Sequence, residues 1–265
     1  MGKQVVFWSP YAGVSKVTAS LCAIAGIFGM QYPELDIAIS SVASDIVGPE
    51  EYLTERRYAE IFKDGYKRQG MESLKFHFRQ AQLSSEVIRR NSIQLKMKTL
   101  FLYSGIFAGK EDTITFQLLT QTLRQEYDLV FLDLGNREQI QTQGFLDTAD
   151  LIVVVLPQSQ WYWEDFFTFK NQLLTDKQYC VLIGGYMRKS VFSKKYYYIE
   201  QSQGPTCKIA GVIPMNTDFM EAMSEGKILD FLFRNQRARK KEDNYEFIVQ
   251  TKKAAERIRE KLFLY

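Results

Sequence analysis

Short apolar runs without polar alternation recur along this chain, separated by segments of helical character. Val5-Val6-Phe7-Trp8 is the first. Leu35 to Ser40, Leu100 to Tyr103, Tyr127 to Gly135, Leu151 to Leu156, Cys180 to Gly185 and Ile209 to Pro214 follow. A strand with one face in water alternates apolar and polar residues, and a strand covered on both faces does not. The pattern therefore predicts an α/β fold: a mainly parallel central sheet with helices on both faces, in three layers. The helices show their own period. Val17, Leu21, Ile24 and Phe28 share one face, as do Phe116, Leu119 and Leu123 between Thr113 and Gln125. Ile248, Ala255, Ile258 and Leu262 do so in a last helix from about Tyr245 to Leu262. Residues 49 to 91 are mostly polar and helical, with Tyr52, Leu53, Tyr58, Ile61 and Phe62 available for packing. No linker, repeat or low-complexity stretch interrupts the pattern, so residues 1–265 read as a single domain.

In such sheets ligands sit beyond the carboxyl ends of the strands. The segments there are Ser9 to Lys16, Asp133 and Gly184-Gly185, which predicts that they converge on one rim. The stretch Ser9-Pro10-Tyr11-Ala12-Gly13-Val14-Ser15-Lys16-Val17-Thr18 lies between the first strand and its helix. There a phosphate-binding loop would place backbone N–H groups, a helix N-terminus and a lysine around an anion. The pattern G-x-x-x-x-G-K-[ST] fails at three positions: Pro10 and Ser15 replace its glycines, and Val17 replaces the hydroxyl residue that would hold Mg²⁺. Thr18, one residue on, is expected to point about 100° around the helix. Asp133 closes its strand as a metal-side acid would, or as a turn residue. A plain strand-to-helix turn and an altered anion cradle both fit these residues. Trp8 stands at the mouth of the loop, where its fluorescence would report on a ligand.

Bulk properties exclude other classes. A net charge of +3 is too small for wholesale nucleic-acid binding, which would need local patches. The basic run Arg234, Arg237, Arg239, Lys240 and Lys241 is interleaved with acids and reads as solvated surface. A second patch joins Arg188, Lys189, Lys194 and Lys195 to Tyr196-Tyr197-Tyr198. Cys22, Cys180 and Cys207 form no C-x-x-C pair, which suits a reducing compartment. His77 is the only histidine, so a histidine-rich metal site is excluded, and its neighbours give it a structural reading. No signal peptide and no membrane-spanning run is visible.

The order of these signals resembles the ParA/MinD family of deviant Walker A ATPases, and within it the CpaE/TadZ-type proteins of Tad (Flp) pilus assembly. The resemblance rests on Gly13-Val14-Ser15-Lys16-Val17-Thr18, on Tyr127 to Asp133, on Thr148 to Val155, and on Ile209 to Asn216 with Glu221-Ala222 and Gly226-Lys227. It implies that Gly13, Val14, Ser15, Lys16, Val17, Thr18, Pro214 and Asn216 face ATP or ADP and that Asp133 is the metal-side residue, with Mg²⁺ poorly held. The family's lysine that reaches across the dimer falls at Tyr11, its first-switch acid falls near Ser40-Ser41 with Asp45 as a displaced substitute, and an asparagine near the adenine is replaced around Gly184-Gly185. The implied protein is a homodimeric localisation or scaffold factor, cytoplasmic at the inner membrane face. It would meet pilus or secretion assembly proteins, contact the membrane peripherally, and hydrolyse ATP inefficiently. A slow but genuine ATPase using Lys16, Thr18 and Asp133 is the alternative, and a DNA-partition protein is a third reading. Nucleic acid is not the expected partner.

Overall fold

The computed structural model describes residues 1–11, 13–42, 48–55, 70–105, 113–135, 139–192 and 209–263, the side chains of 139–142 and 170–172 excepted. Its strands are β1 (Lys3–Trp8), β2 (Ile37–Ser41), β3 (Ile93–Gln94), β4 (Leu100–Tyr103), β5 (Leu129–Gly135), β6 (Leu151–Pro157), β7 (Tyr179–Tyr186) and β8 (Ile209–Pro214). The helices are α1 (Val17–Gln31), α2 (Pro49–Leu53), α3 (Met71–Arg79), α4 (Ser85–Arg90), α5 (Thr113–Glu126), α6 (Gln139–Thr148), α7 (Gln160–Leu173), α8 (Thr217–Ser224), α9 (Ile228–Asn235) and α10 (Tyr245–Phe263). One sheet runs in the order β3-β4-β2-β5-β1-β6-β7-β8. Every neighbouring pair is parallel except β3 with β4.

The uninterrupted apolar strands follow from burial on both faces. Along β1, Val5 and Phe7 pack in the layer of α1, α9 and α10, while Val6 and Trp8 pack in the layer of α5, α6 and α7. On the central strand β5, Phe131 meets Phe7 at 5.6 Å and Phe28 at 5.2 Å between ring centroids. Helix α1 is buried through most of its length between the sheet and α9 and α10. The apolar face of α10, with Ile248, Ala255, Ile258 and Leu262, is buried as its periodicity predicts.

Several expectations need correction. The second strand begins at Ile37 rather than Leu35. Tyr127 and Asp128 precede β5: the Tyr127 hydroxyl meets that of Tyr103 at 2.8 Å, and Asp128 accepts from the Asp36 N–H at 2.8 Å. Strand β3 and helices α6 to α9 were not singled out; β3 has two residues, too few to show a period. Trp8 is only 1% exposed and lies in the layer of α5, α6 and α7, rather than standing open at the mouth of the loop. His77 is half-buried on α3 beside the Phe76 ring. Asp45, Tyr58, Ile61, Phe62, Lys194, Lys195, Tyr196-Tyr197-Tyr198 and Cys207 lie outside the described residues. Among the described residues, no helix is long and apolar enough to cross a membrane.

The amino ends of the strands are tied by charged clamps. The Arg124 guanidinium donates to the carbonyls of Gly2 (3.0 Å) and Thr148 (3.3 Å) and to Asp150 Oδ2 (2.7 Å). Asp150 also accepts from the Gln4 N–H at 2.7 Å. Arg89 pairs with Asp36 at 3.1 Å and lies over the Phe101 and Tyr127 rings.

Candidate functional site

The carboxyl ends of the strands carry a cleft of about 280 Å³. Of the residues singled out in the sequence, Gly13, Ser15, Lys16, Val17, Thr18, Pro214 and Asn216 line it. Val14 does not line it and is 42% exposed. Asp133 lies at the end of β5, completely buried, outside the cleft lining.

The loop after β1 is built without the two pattern glycines. The Ser9 N–H donates to the Gly135 carbonyl at 3.0 Å, tying the loop to β5. The hydroxyls of Ser9 and Ser15 meet at 2.7 Å, Ser9 Oγ accepts from the Tyr11 N–H at 3.2 Å, and Ser15 Oγ lies 3.3 Å from the Tyr11 carbonyl. Side-chain hydrogen bonds thus brace the turn, while Gly13 still supplies a left-handed residue at φ 69°. Ser15 itself is buried.

Lys16 adopts a left-handed backbone, φ 56° and ψ 45°, and α1 starts immediately after it. A non-glycine residue in that conformation costs about 1–3 kcal/mol and needs surroundings that hold it there. Gly184 and Gly185 at the end of β7 are part of those surroundings. A Cβ on Gly184 would come within 2.1 Å of the Ser15 carbonyl oxygen, and one on Gly185 within 3.0 Å of the Lys16 Cδ and Cε. The glycine pair where the family pattern has asparagine thus admits the loop and the lysine stem. Lys16 is exposed, and its side chain makes no hydrogen bond or ion pair among the described residues. The first turn of α1 contains no acid, so the positive end of the helix is uncompensated beside it.

Thr18 lies one helical step from Val17, as expected, and its hydroxyl donates to Asp133 Oδ2 at 2.6 Å, the two residues that the slow-ATPase alternative joins. Asp133 Oδ1 accepts from the Gly135 N–H at 2.8 Å. Val17, at the position the pattern gives to the hydroxyl, is 7% exposed and packs in the core.

Tyr11 is committed within its own chain. Its hydroxyl lies 2.8 Å from both the Tyr162 carbonyl and Asp165 Oδ2 on α7, and its ring sits 4.6 Å from that of Tyr162. Burial, reinforced by the Asp165 carboxylate, pushes its phenol well above the usual range, so it remains a neutral donor. Asn216 also has a local duty. It caps α8 by accepting from the Phe219 N–H at 2.8 Å and donates to Asn244 Oδ1 at 2.8 Å.

One residue was missed. Glu50, in the first turn of α2, lies at the same rim. Burial pushes its carboxyl up to about 6, and the charges of Glu51 and Asp133 add to that, against bonds from its own backbone and that of Gly105. The signal in the sequence was Gly48-Pro49-Glu50-Glu51, a proline-started first turn with acids at the positive helix end.

A lysine-bearing loop between the first strand and the first helix, opening at the carboxyl ends of a parallel sheet, gives this chain a P-loop NTPase architecture. More particularly, the fold is the one found in ParA-family and MinD proteins. It is similar to a ParA family ATPase from Chlorobium tepidum TLS, with 14% identity over 96% of this chain and 97% of that one and a TM-score of 0.69. It is similar to the septum site-determining protein MinD of Pyrococcus horikoshii OT3 complexed with Mg-ADP, with 12% identity over 97% and 96% and a TM-score of 0.70. The MinC:MinD complex of Aquifex aeolicus matches at 11% identity over 97% and 96%, TM-score 0.67. No family model and no curated protein matches the sequence.

Proposed function

We propose that this chain is a localisation or scaffold factor that binds ATP or ADP weakly in the cleft and hydrolyses it poorly. The observation that carries the reading is Lys16: a cation without a partner among the described residues, beside an uncompensated helix N-terminus, on a cleft at the strand ends. Backbone N–H groups at 13–18 and the Lys16 ammonium would hold the phosphates. Pro214, with the apolar Ile213 and Met215, would face the base. Thr18, backed by the buried Asp133, would hold a divalent cation, which would supply charge to the phosphate oxygens. The similar Pyrococcus protein carries Mg-ADP and the similar Aquifex protein assembles with MinC, which suits a nucleotide-dependent partner.

Poor hydrolysis follows from Tyr11. Phosphoryl transfer relies on positioned positive charge, and a neutral phenol bound to α7 of its own chain supplies none. Phosphate release by the purified protein tests this. Turnover equal to that of Lys16→Ala is expected, and Lys16-dependent turnover would favour the slow-ATPase reading, which the Thr18–Asp133 pair supports. The finer assignments are a single domain, a homodimer, a place at the inner membrane face and a role in Tad (Flp) pilus or secretion assembly. Their support is the sequence resemblance.

A further inference from the structure

We propose that Thr18, not Val17, is the hydroxyl that serves a divalent cation in this cleft, and that the left-handed backbone of Lys16 puts it there. The inference rests on the reading that the cleft takes a nucleotide and names how its metal is met. The phosphate-loop pattern assigns the metal hydroxyl to the residue directly after the lysine. Here that residue is Val17, which offers no oxygen and is packed in the core. By the pattern alone the metal side of the site is lost.

The backbone rebuilds it one residue later. Lys16 at φ 56° stands outside the helix, whose first turn closes with the Ser20 N–H on the Lys16 carbonyl at 3.0 Å. Side chains along a helix step by about 100°. Val17 packs against the core at the cleft wall, and the next step brings Thr18 Oγ1 to 2.6 Å from Asp133 Oδ2.

The chemistry of that pair suits a hard cation. A hydroxyl has one proton to give and lone pairs to offer. Thr18 gives its proton to Asp133, on its buried side, and it lines the cleft on the other. The donation raises electron density on Oγ1, as a hydrogen-bonded partner behind a metal ligand does. Mg²⁺ takes few protein oxygens and completes its shell with phosphate oxygens and water, so one such hydroxyl beside bound phosphates suffices. The strain at Lys16 has a purpose in this account: Ser15 against Gly184 and Lys16 against Gly185 hold the conformation that sets the helix phase.

Calorimetric titration of ADP, in Mg²⁺ and in EDTA, tests this on the wild type, Thr18→Val, Thr18→Ser and Val17→Thr. Mg²⁺ should tighten ADP binding to the wild type by about tenfold. Thr18→Val should lose that gain, Thr18→Ser should keep it, and Val17→Thr should leave it unchanged. The spin-resonance spectrum of Mn²⁺ with ADP should show bound metal in the same variants that keep the gain. A gain that survives Thr18→Val, or one that appears only with Val17→Thr, overturns the proposal. Metal-indifferent ADP binding by the wild type overturns it while leaving the nucleotide reading intact. No ADP binding in either buffer overturns both. If Thr18→Val does not fold, the Val17→Thr and Thr18→Ser arms still decide.

Discussion

The two rims of the sheet are built on opposite principles. At the amino ends, charges meet partners: Arg124 spans Gly2, Thr148 and Asp150, and Arg89 is paired with Asp36 and covered by two rings. At the carboxyl ends, Lys16 is held in a strained conformation with no partner among the described residues, and the Glu50 carboxyl sits near two other acids. Both rims close the same core, so burial does not distinguish them. What differs is the state of the cations. Arg124 and Arg89 are bound to acids and carbonyls of their own chain, whereas Lys16 is left for something outside it, as strained groups at functional sites are.

Breaking the paired rim should give the largest effect. Arg124→Ala leaves Asp150 with only the Gln4 N–H and Lys3, and removes the guanidinium bonds to the carbonyls of Gly2 and Thr148. Urea unfolding should show a loss of about 3 kcal/mol, with nucleotide affinity of the folded protein unchanged. A loss below about 0.5 kcal/mol would mean that the clamp is ornamental.

The next effect sharpens the contrast through pH. The Glu50 carboxyl is raised in the fold from 4.5 to about 6, so the folded state holds its proton more tightly than the unfolded state. Its contribution is therefore fully present below pH 4.5 and is lost as the pH rises through about 6. Glu50→Gln should remove that slope and add about 1 kcal/mol at pH 7, after allowance for partial exposure. Parallel pH–stability curves for the two proteins would refute the account of Glu50.

The smallest effect isolates the strain at Lys16. Lys16→Gly relieves a left-handed side chain but raises the entropy of the unfolded chain, which offsets part of the relief, for a net gain of about 0.5 kcal/mol. A thermal melt should show this small rise together with loss of nucleotide binding. A destabilised Lys16→Gly would place the lysine stem among the groups that hold the fold.

The fold was legible because its signal is repeated. Seven runs apolar on both faces, such as Val5 to Trp8 and Leu151 to Leu156, mark seven of the eight strands among the described residues. The two-residue β3 carries too few positions to signal anything. The site was legible as a list of residues and not as a geometry. The periodicity of α1 buries Val17 and so sets Thr18 one step round, but it gives neither the left-handed φ at Lys16 nor the contact of Thr18 with Asp133 on a distant strand. Trp8 was misplaced for a related reason: strand alternation sends it to the opposite layer, although it is next to the loop in sequence. Glu50 was missed because its surroundings come from β5 and the residues after β4, distant in the chain.

The central claim is that Lys16 waits for an anion. Equilibrium dialysis of labelled ATP against the wild type and Lys16→Ala tests it directly. The account predicts saturable binding by the wild type and affinity at least about tenfold weaker for Lys16→Ala, the worth of one charge-assisted contact. Equal retention of ATP by the two proteins, or none by either, would contradict it.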